Sequence, residues 1–162
     1  MLSKLLLKIF ITELCISSKK QKRQVFKKVM QLISTRTIKD AIKNGYTSDF
    51  VHLLEEFGKW SSFFGCQGWG KGAAPESYVL DDDTGAVLDI AFAYLQHDHK
   101  ELYRLMRMRY IQGMSEIQIM REERERLSAK NKRFRYMTAD MIAERIKVGN
   151  IYILELLQHA CI

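Results

Sequence analysis

The stretch ELYRLMRMRYIQGMSEIQIM, residues 101–120, is the one around which we expect the rest of the chain to be organised. Gly113 stands where the end of a helix requires a residue that is free to take a positive φ. Ser115 then caps a second helix, and Gln118 completes a capping box. Such a corner begins helix-turn-helix DNA readers, and it also begins many ordinary helical hairpins. The first half is an amphipathic helix, because apolar residues recur at helical spacing: Leu102, Leu105, Met106 and Tyr110.

The composition predicts an all-α fold. The chain has 162 residues, 47% of them hydrophobic, with one proline and abundant Leu, Ile, Met, Lys, Arg and Glu. Asn44–Gly45 marks a break. It separates a basic helical extension, residues 1–45, from a compact helical domain containing a helix-turn-helix, residues 46–162. A translation start at Met30 is an alternative that would shorten the extension.

Charge is unevenly placed along the chain. Residues 1–48 carry 11 Lys and Arg against 2 Asp and Glu, residues 49–120 carry 6 against 11, and residues 121–162 carry 9 against 6. Two basic ends favour a polyanion such as DNA or RNA, or an acidic membrane surface, and a solvated surface is the alternative. In the extension, the basic run at residues 19–28 overlaps an apolar stripe at Val25, Phe26, Val29, Leu32 and Ile33. This pattern fits a basic amphipathic helix that binds nucleic acid or an acidic partner surface. It also fits a solvated helix that packs on the body through the stripe.

Cysteine usage and hydropathy indicate a cytoplasmic protein. Cys15, Cys66 and Cys161 lie far apart without a CxxC or Cys/His cluster, so we expect free thiols and no structural zinc. Lys8 interrupts the apolar N-terminus, and no signal cleavage site follows it. Since no apolar run is long enough to cross a bilayer, no membrane association is expected. The sequence predicts neither a metal nor any other cofactor.

Two further helices are expected before the corner. Residues 49–64 have an apolar stripe at Val51, Leu54, Phe57 and Trp60, and the acidic residues 81–83 cap the next helix. Residues 97–99, His-Asp-His, are expected to form a polar link between helices, because no third metal ligand accompanies them. That second helix is expected to bury five residues: Val87, Leu88, Ala91, Phe92 and Leu95.

In this order, the motifs resemble those of the phage antitermination protein Q family, in its shorter, zinc-free branch. The resemblance covers roughly residue 49 to the C-terminus. Arg109 takes the place of an aromatic residue of the family pattern. The matching residues form three groups and the start of a recognition helix: Leu54, Glu55, Phe57, Gly58 and Trp60; Asp81, Asp82 and Asp83; Leu105, Tyr110, Gly113, Met114 and Ser115; and Thr138, Ile142, Arg145 and Ile146.

The resemblance implies a transcription factor without enzymatic activity in the cytoplasm of a bacterial host. Such a factor binds double-stranded DNA near a phage late promoter, joins paused RNA polymerase and allows read-through of terminators; self-association on DNA is possible. A helical DNA-binding or protein-interaction module without antitermination is the alternative. No pair of nucleophile and base, and no pair of catalytic carboxylates, stands at a usable spacing.

The DNA-contacting residues are expected in two neighbouring places. If Thr138 caps the last helix, one of its faces is buried: Ile142, Ile146, Gly149, Ile153 and Leu157. The other face would meet base edges through Ala139, Asp140, Ala143, Glu144 and Lys147, with Arg145 at its boundary. The preceding spacer is longer than in a compact helix-turn-helix. Its first half, residues 121–127, extends the Ser115 helix as an exposed face, and its second half is a basic arm that contacts phosphates: Lys130, Lys132, Arg133 and Arg135, with Phe134 and Tyr136 interleaved.

Overall fold

The computed structural model describes residues 36–65, 80–129 and 137–161. This part of the chain contains no strand, and the prediction of an all-α fold is confirmed. Its elements, in order, are α1 (Arg36–Asn44), α2 (Ser48–Gly65), α3 (Asp82–Asp98), α4 (Lys100–Met106), a π-helical segment (Arg107–Ile111), α5 (Glu116–Ser128) and α6 (Ala139–Cys161).

Helix α6 lies at the centre of the packing. It contacts α1, α3, α4 and α5, while α2 packs against the π-helical segment and α3. The side of α6 that was predicted to face the core does so: Ile142, Ile146, Gly149, Ile153 and Leu157 are all buried. The core that these helices share includes Leu54, Phe57, Leu88, Leu95, Leu105, Met106, Ile119 and Ile142.

The end of the predicted extension forms α1. Ile38 is completely buried in the common core, and Gln158 Nε2 of α6 donates a hydrogen bond to the Ile42 carbonyl oxygen at 3.5 Å. Burial of Ile38 removes apolar surface from water and stabilises the contact between α1 and α6. Residues 1–35, which include the predicted basic helix, lie outside the described residues.

The buried face of α2 differs from the predicted stripe by about one position. Leu54 and Phe57 are fully buried as expected, but Phe50 and Leu53 fill the remaining core positions, and Val51 is half-buried. Positions 50, 53, 54 and 57 form one continuous helical face, whereas position 51 lies on its flank. This face is wide because α2 is covered by two neighbours, the π-helical segment and α3.

The acidic cap of α3 is confirmed. Asp81 Oδ1 accepts a hydrogen bond from the Thr84 backbone N–H at 2.8 Å, and its Oδ2 accepts one from Thr84 Oγ1 at 2.7 Å. These bonds satisfy a backbone donor that the first turn leaves without a helical partner. The five residues that the sequence places in the core of α3 are all buried: Val87, Leu88, Ala91, Phe92 and Leu95.

The predicted polar link at residues 97–99 is wrong in extent. His97 and Asp98 continue α3, and His99 alone separates α3 from α4. The His99 backbone N–H donates to the Leu95 carbonyl oxygen at 2.8 Å, which closes the last turn of α3. Tyr152 OH donates to Asp98 Oδ2 at 2.9 Å, so a contact from α6 holds the end of this helix.

The corner after α4 has the predicted turn and an unpredicted widening of the helix before it. Gly113 takes a φ of 66°, and the Ser115–Gln118 capping box begins α5. The Met114 N–H donates to the Met108 carbonyl oxygen at 3.0 Å, six residues back, which is one residue further than the closing bond of a Schellman motif. Immediately before the turn, the Gln112 N–H bonds to the Arg107 carbonyl oxygen at 3.0 Å, five residues back, so the helix is locally π-helical.

Helix α5 extends through residues 121–127, as predicted, but it is not exposed throughout. The Glu123 side chain retains only 3% of its exposure. Its Oε2 accepts hydrogen bonds from Arg104 Nη2 of α4 at 2.7 Å and from Arg126 Nη2 at 2.9 Å. One carboxylate in this run of alternating charges is therefore buried. It connects α5 to α4 through Arg104, and it also pairs with Arg126 of its own helix.

Candidate nucleic-acid interface

The start of α6 is held in place from three directions. The Thr138 hydroxyl accepts a hydrogen bond from the Met141 N–H at 3.2 Å, which confirms the predicted cap. Met137 is 1% exposed, so the chain enters the core immediately before this cap. Arg124 of α5 donates from Nε at 3.0 Å and from Nη2 at 2.6 Å to the Met137 carbonyl oxygen. The first turn of α6 is therefore fixed relative to α5.

The predicted outward face of α6 is accessible. Asp140, Ala143, Glu144 and Lys147 are exposed, Ala139 is half-buried, and Arg145, which was expected at the boundary, is exposed as well. Thr138 is also exposed, although its hydroxyl is engaged in the cap. The structure thus brings together all seven predicted α6 residues on the free surface of its first three turns.

The described residues on either side of the predicted basic arm are each held by hydrogen bonds. Its four cationic residues, Lys130, Lys132, Arg133 and Arg135, lie outside the described residues. On the near side, the Ala129 N–H ends α5 by donating to the Glu125 carbonyl oxygen at 3.0 Å. On the far side, the chain is held at Met137 by Arg124. The described residues that flank the arm in the sequence are therefore the end of α5 and the entry to α6.

Two exposed apolar residues on this surface were not predicted. Met141 is 41% exposed and Val148 is 53% exposed, and their spacing of seven places them on one side of α6. Glu144 lies between them, and its carboxylate is exposed. The hydrophobic spacing of α6 could have revealed them, because neither residue belongs to the buried face.

The motif residues of α2 and of the corner meet directly. A Cβ on Gly58 would stand 1.9 Å from the carbonyl oxygen of Tyr110, so only glycine allows this approach of the two backbones. The Ser62 hydroxyl lies 2.9 Å from the Gly58 carbonyl oxygen of its own helix and 3.2 Å from the Ile111 carbonyl oxygen, so its one proton is shared between these two acceptors. Since the π-helical turn leaves carbonyl groups without their usual partners, Ser62 supplies one from the neighbouring helix.

The first and second motif groups also meet. Trp60 Nε1 donates to Asp82 Oδ1 at 3.1 Å, and the Trp60 ring lies where a side chain on Gly85 would project. The same ring stacks on Phe57, with the ring centres 6.0 Å apart. Trp60 is therefore a half-buried packing residue, as the apolar stripe of α2 predicted, and its indole N–H also bonds to Asp82.

Tyr110 connects the corner with α6 through a buried polar pair. Its hydroxyl donates to Asn150 Oδ1 at 3.1 Å, and Asn150 Nδ2 donates to the Tyr46 hydroxyl oxygen at 3.4 Å. Asn150 is 2% exposed, so the two tyrosines satisfy a buried amide. Burial raises the pKa of Tyr110 to about 12, which keeps the phenol neutral and able to donate.

Arg109, which departs from the family pattern, has a structural role in this corner. Its guanidinium lies 3.9 Å from a Glu55 carboxylate oxygen of α2 and 3.7 Å from one of Glu116 at the start of α5. Its Nη1 also donates to the Met114 carbonyl oxygen at 3.4 Å. Arg109 thus bridges α2, the turn and α5. The side chains of Arg109, Glu55 and Glu116 all remain partly accessible to solvent.

These contacts assign the three motif groups to the scaffold. Within the described ranges, no group of three or more His, Cys, Asp or Glu side chains is arranged to hold a metal ion. None of the helices in those ranges is long and apolar enough to cross a membrane. Comparison of the chain with protein-family models, with curated proteins and with solved structures finds no match.

Proposed function

We propose that this protein is a phage transcription antitermination factor that binds double-stranded DNA and then joins RNA polymerase in the cytoplasm of a bacterial host. The observation that carries the proposal is the arrangement at the start of α6. There, an accessible helical face begins just after Met137, whose carbonyl oxygen Arg124 holds, and a basic segment precedes Met137 in the sequence.

The presence of one buried face and one exposed face on α6 supports DNA binding. One face is buried by Ile142 and Ile146, while Asp140, Ala143 and Glu144 point to solvent. A recognition helix needs this asymmetry, because its free face must enter a groove while the other holds it on the domain. The basic arm would supply affinity through phosphate contacts and counterion release, and the α6 face would supply base discrimination.

The packing of the motif groups supports the family resemblance on which antitermination rests. Gly58 against Tyr110, and Trp60 against Asp82 and Gly85, are contacts between residues that belong to different motif groups. Residues that pack against each other limit each other's size and shape. The packing contacts therefore give a physical reason why these motif groups are found together in one chain. Binding to RNA polymerase is proposed from the family resemblance alone.

A salt titration of DNA binding tests the proposed function. A duplex carrying a phage late promoter is titrated with the purified chain between about 50 and 200 mM salt, and affinity is expected to fall steeply. The double variant Lys132→Ala/Arg133→Ala is expected to reduce the slope of log affinity against log salt by about two. Lys39→Ala/Lys43→Ala removes the same charge from α1 and is the matched control, with little change expected. Binding that is absent, or independent of salt, would contradict the proposal.

A protein-interaction module is the second candidate. It is favoured by Met141 and Val148, which expose apolar surface beside the carboxylate of Glu144. Carboxylates repel phosphates, and exposed apolar side chains are typical of protein interfaces. Capture of RNA polymerase by a chain that has no DNA affinity, unaffected by the arm variant, would support this candidate over the first.

A further inference from the structure

The exposed side of α6 combines two apolar side chains with two opposite charges. Met141 and Val148 lie seven residues apart on one line of the helix, and Glu144 and Arg145 lie between them. Among the described residues, neither Glu144 nor Arg145 forms an ion pair or a side-chain hydrogen bond. A single exposed apolar residue is common on protein surfaces, but an apolar line with opposite charges beside it is typical of a helix that pairs with another helix.

The two charges lie on opposite flanks of this line. Consecutive residues of a helix point about 100° apart, so Glu144 projects to one side of the line from Met141 to Val148 and Arg145 projects to the other. Their side chains therefore diverge and do not pair with each other. The described elements leave all four residues exposed, so this side of α6 has no cover from its own domain within the described ranges.

A second copy of the chain supplies a partner for both charges at once. If two α6 helices pack in parallel about a two-fold axis, the Glu144 flank of one copy faces the Arg145 flank of the other, and symmetry forms this pair twice. Met141 and Val148 each meet the same residue of the second copy, which removes their apolar surface from water. An antiparallel pair would instead bring glutamate against glutamate and arginine against arginine. The charges therefore favour the parallel arrangement.

The sequence beyond Val148 limits the length of this contact. Glu155, seven residues further along the same line, is exposed, and a parallel pair would bring its carboxylate close to that of the second copy. Repulsion between two carboxylates favours divergence of the helices after residue 148. A contact of about two turns lies at the small end of protein interfaces, so a weak and reversible dimer is expected.

We infer that the chain self-associates in the absence of DNA, as a parallel two-fold dimer that joins Met141 and Val148 of two α6 helices and forms reciprocal ion pairs between Glu144 and Arg145. The inference does not require the proposed function, because it needs no nucleic acid. It goes beyond that function by giving the exposed side of α6 a second occupant. Since the dimer would cover two residues that are proposed to face DNA, a duplex and a second copy would compete for this side of the helix.

Exchange of the two charges tests the pairing. Sedimentation equilibrium without DNA measures the dimer dissociation constant of the wild-type chain, of Glu144→Arg, of Arg145→Glu, of an equimolar mixture of these two variants, and of the double variant Glu144→Arg/Arg145→Glu. Each single variant places like charges in both pairs and is expected to dimerise about tenfold more weakly than the wild type. The mixture and the double variant restore opposite charges in both pairs and are expected to regain the affinity of the wild type. Circular dichroism checks that every variant is folded.

The outcomes separate this inference from the proposed function. A wild-type chain that stays monomeric at every concentration would overturn the dimer and leave the DNA titration to decide the function. Dimerisation that neither single variant weakens would place the contact elsewhere and would also overturn it. A loss in both single variants that is restored neither by mixing them nor by the double variant would contradict the reciprocal pairs, because the loss would then not depend on opposite charges.

Discussion

Alanine at position 58 is expected to destabilise the fold more than alanine at either of two other buried helical glycines. The added Cβ would stand 1.9 Å from the Tyr110 carbonyl oxygen and 2.6 Å from its carbonyl carbon. Both are backbone atoms of the π-helical segment, so no side-chain rotation relieves the clash. Relief requires α2 to move away from the corner, and we expect a loss of about 3 kcal/mol or more in the free energy of unfolding.

Gly85 and Gly149 provide graded controls for this prediction. A Cβ on Gly85 meets the Trp60 ring at 2.3 Å, and this ring is confined by its stack on Phe57 and its bond to Asp82, so an intermediate loss of about 2 kcal/mol is expected. A Cβ on Gly149 meets only the side chain of Met106, at 2.7 Å, which is flexible and can move. Its cost is partly offset by the roughly 1 kcal/mol gain in helix propensity from Gly to Ala.

Urea denaturation followed by circular dichroism measures the three variants. The expected order of stability is Gly149→Ala above Gly85→Ala above Gly58→Ala. Equal stability of Gly58→Ala and the wild type would show that α2 and the π-helical segment do not approach each other as described, and the contact between the first and third motif groups would be lost with it.

Removing the Glu123 carboxylate is the second change with a large expected effect. Among the described residues, Glu123→Leu leaves Arg104 and Arg126 with Glu101 as their one remaining common carboxylate, and the buried Nε atoms of both arginines have no hydrogen-bond partner there. Breaking a buried ion pair commonly costs about 3–5 kcal/mol. Because both arginine side chains remain nearly one-third exposed, water compensates in part, and we expect a loss of about 2–3 kcal/mol.

Glu101 is the matched control for this cluster. It contacts the same two arginines, but its side chain is 67% exposed. Glu101→Gln is therefore expected to cost less than about 1 kcal/mol, as is usual for exposed pairs. Urea denaturation measures the free energy of unfolding of both single variants and of the double variant Arg104→Met/Glu123→Leu. The double variant shows whether the loss caused by Glu123→Leu becomes smaller when one of the two arginines is also removed. Similar small losses for Glu123→Leu and Glu101→Gln would contradict a buried role for Glu123.

The sequence predicted the local features of this fold well, because they depend on neighbouring residues. The Ser115 capping box, the positive φ of Gly113 and the Asp81 cap each require a side chain or backbone group within three or four residues. The core face of α6 follows equally from helical periodicity. Such signals are complete within one stretch of chain, so they can be interpreted before any tertiary contact is known.

Features set by distant partners were missed for a corresponding reason. The π-helical widening at the corner is accompanied by Ser62 and Gly58, which lie about fifty residues earlier. Glu123 looks like an ordinary exposed acid until α4 brings Arg104 to it, and the displaced stripe of α2 reflects coverage by two neighbours. Periodicity within a helix carries no information about which other helix approaches it.

The candidate site was predicted only in part. The exposure of Asp140, Ala143, Glu144 and Lys147 follows from the period of α6 and agrees with the structure. The role of Arg124 in holding Met137 was not predicted, because a bond between a side chain and a distant carbonyl oxygen leaves no pattern in the sequence. The four basic residues of the arm, which lie outside the described residues, remain predictions.

Transcription in vitro by bacterial RNA polymerase, from a phage late promoter with a terminator downstream, tests the proposed antitermination directly. We expect the purified chain to increase the full-length transcript at the expense of the terminated one. We further expect Lys132→Ala/Arg133→Ala to reduce this read-through, and Lys39→Ala/Lys43→Ala to leave it unchanged. An unchanged ratio of full-length to terminated transcript, on a template that the chain binds, would contradict the assignment as an antitermination factor.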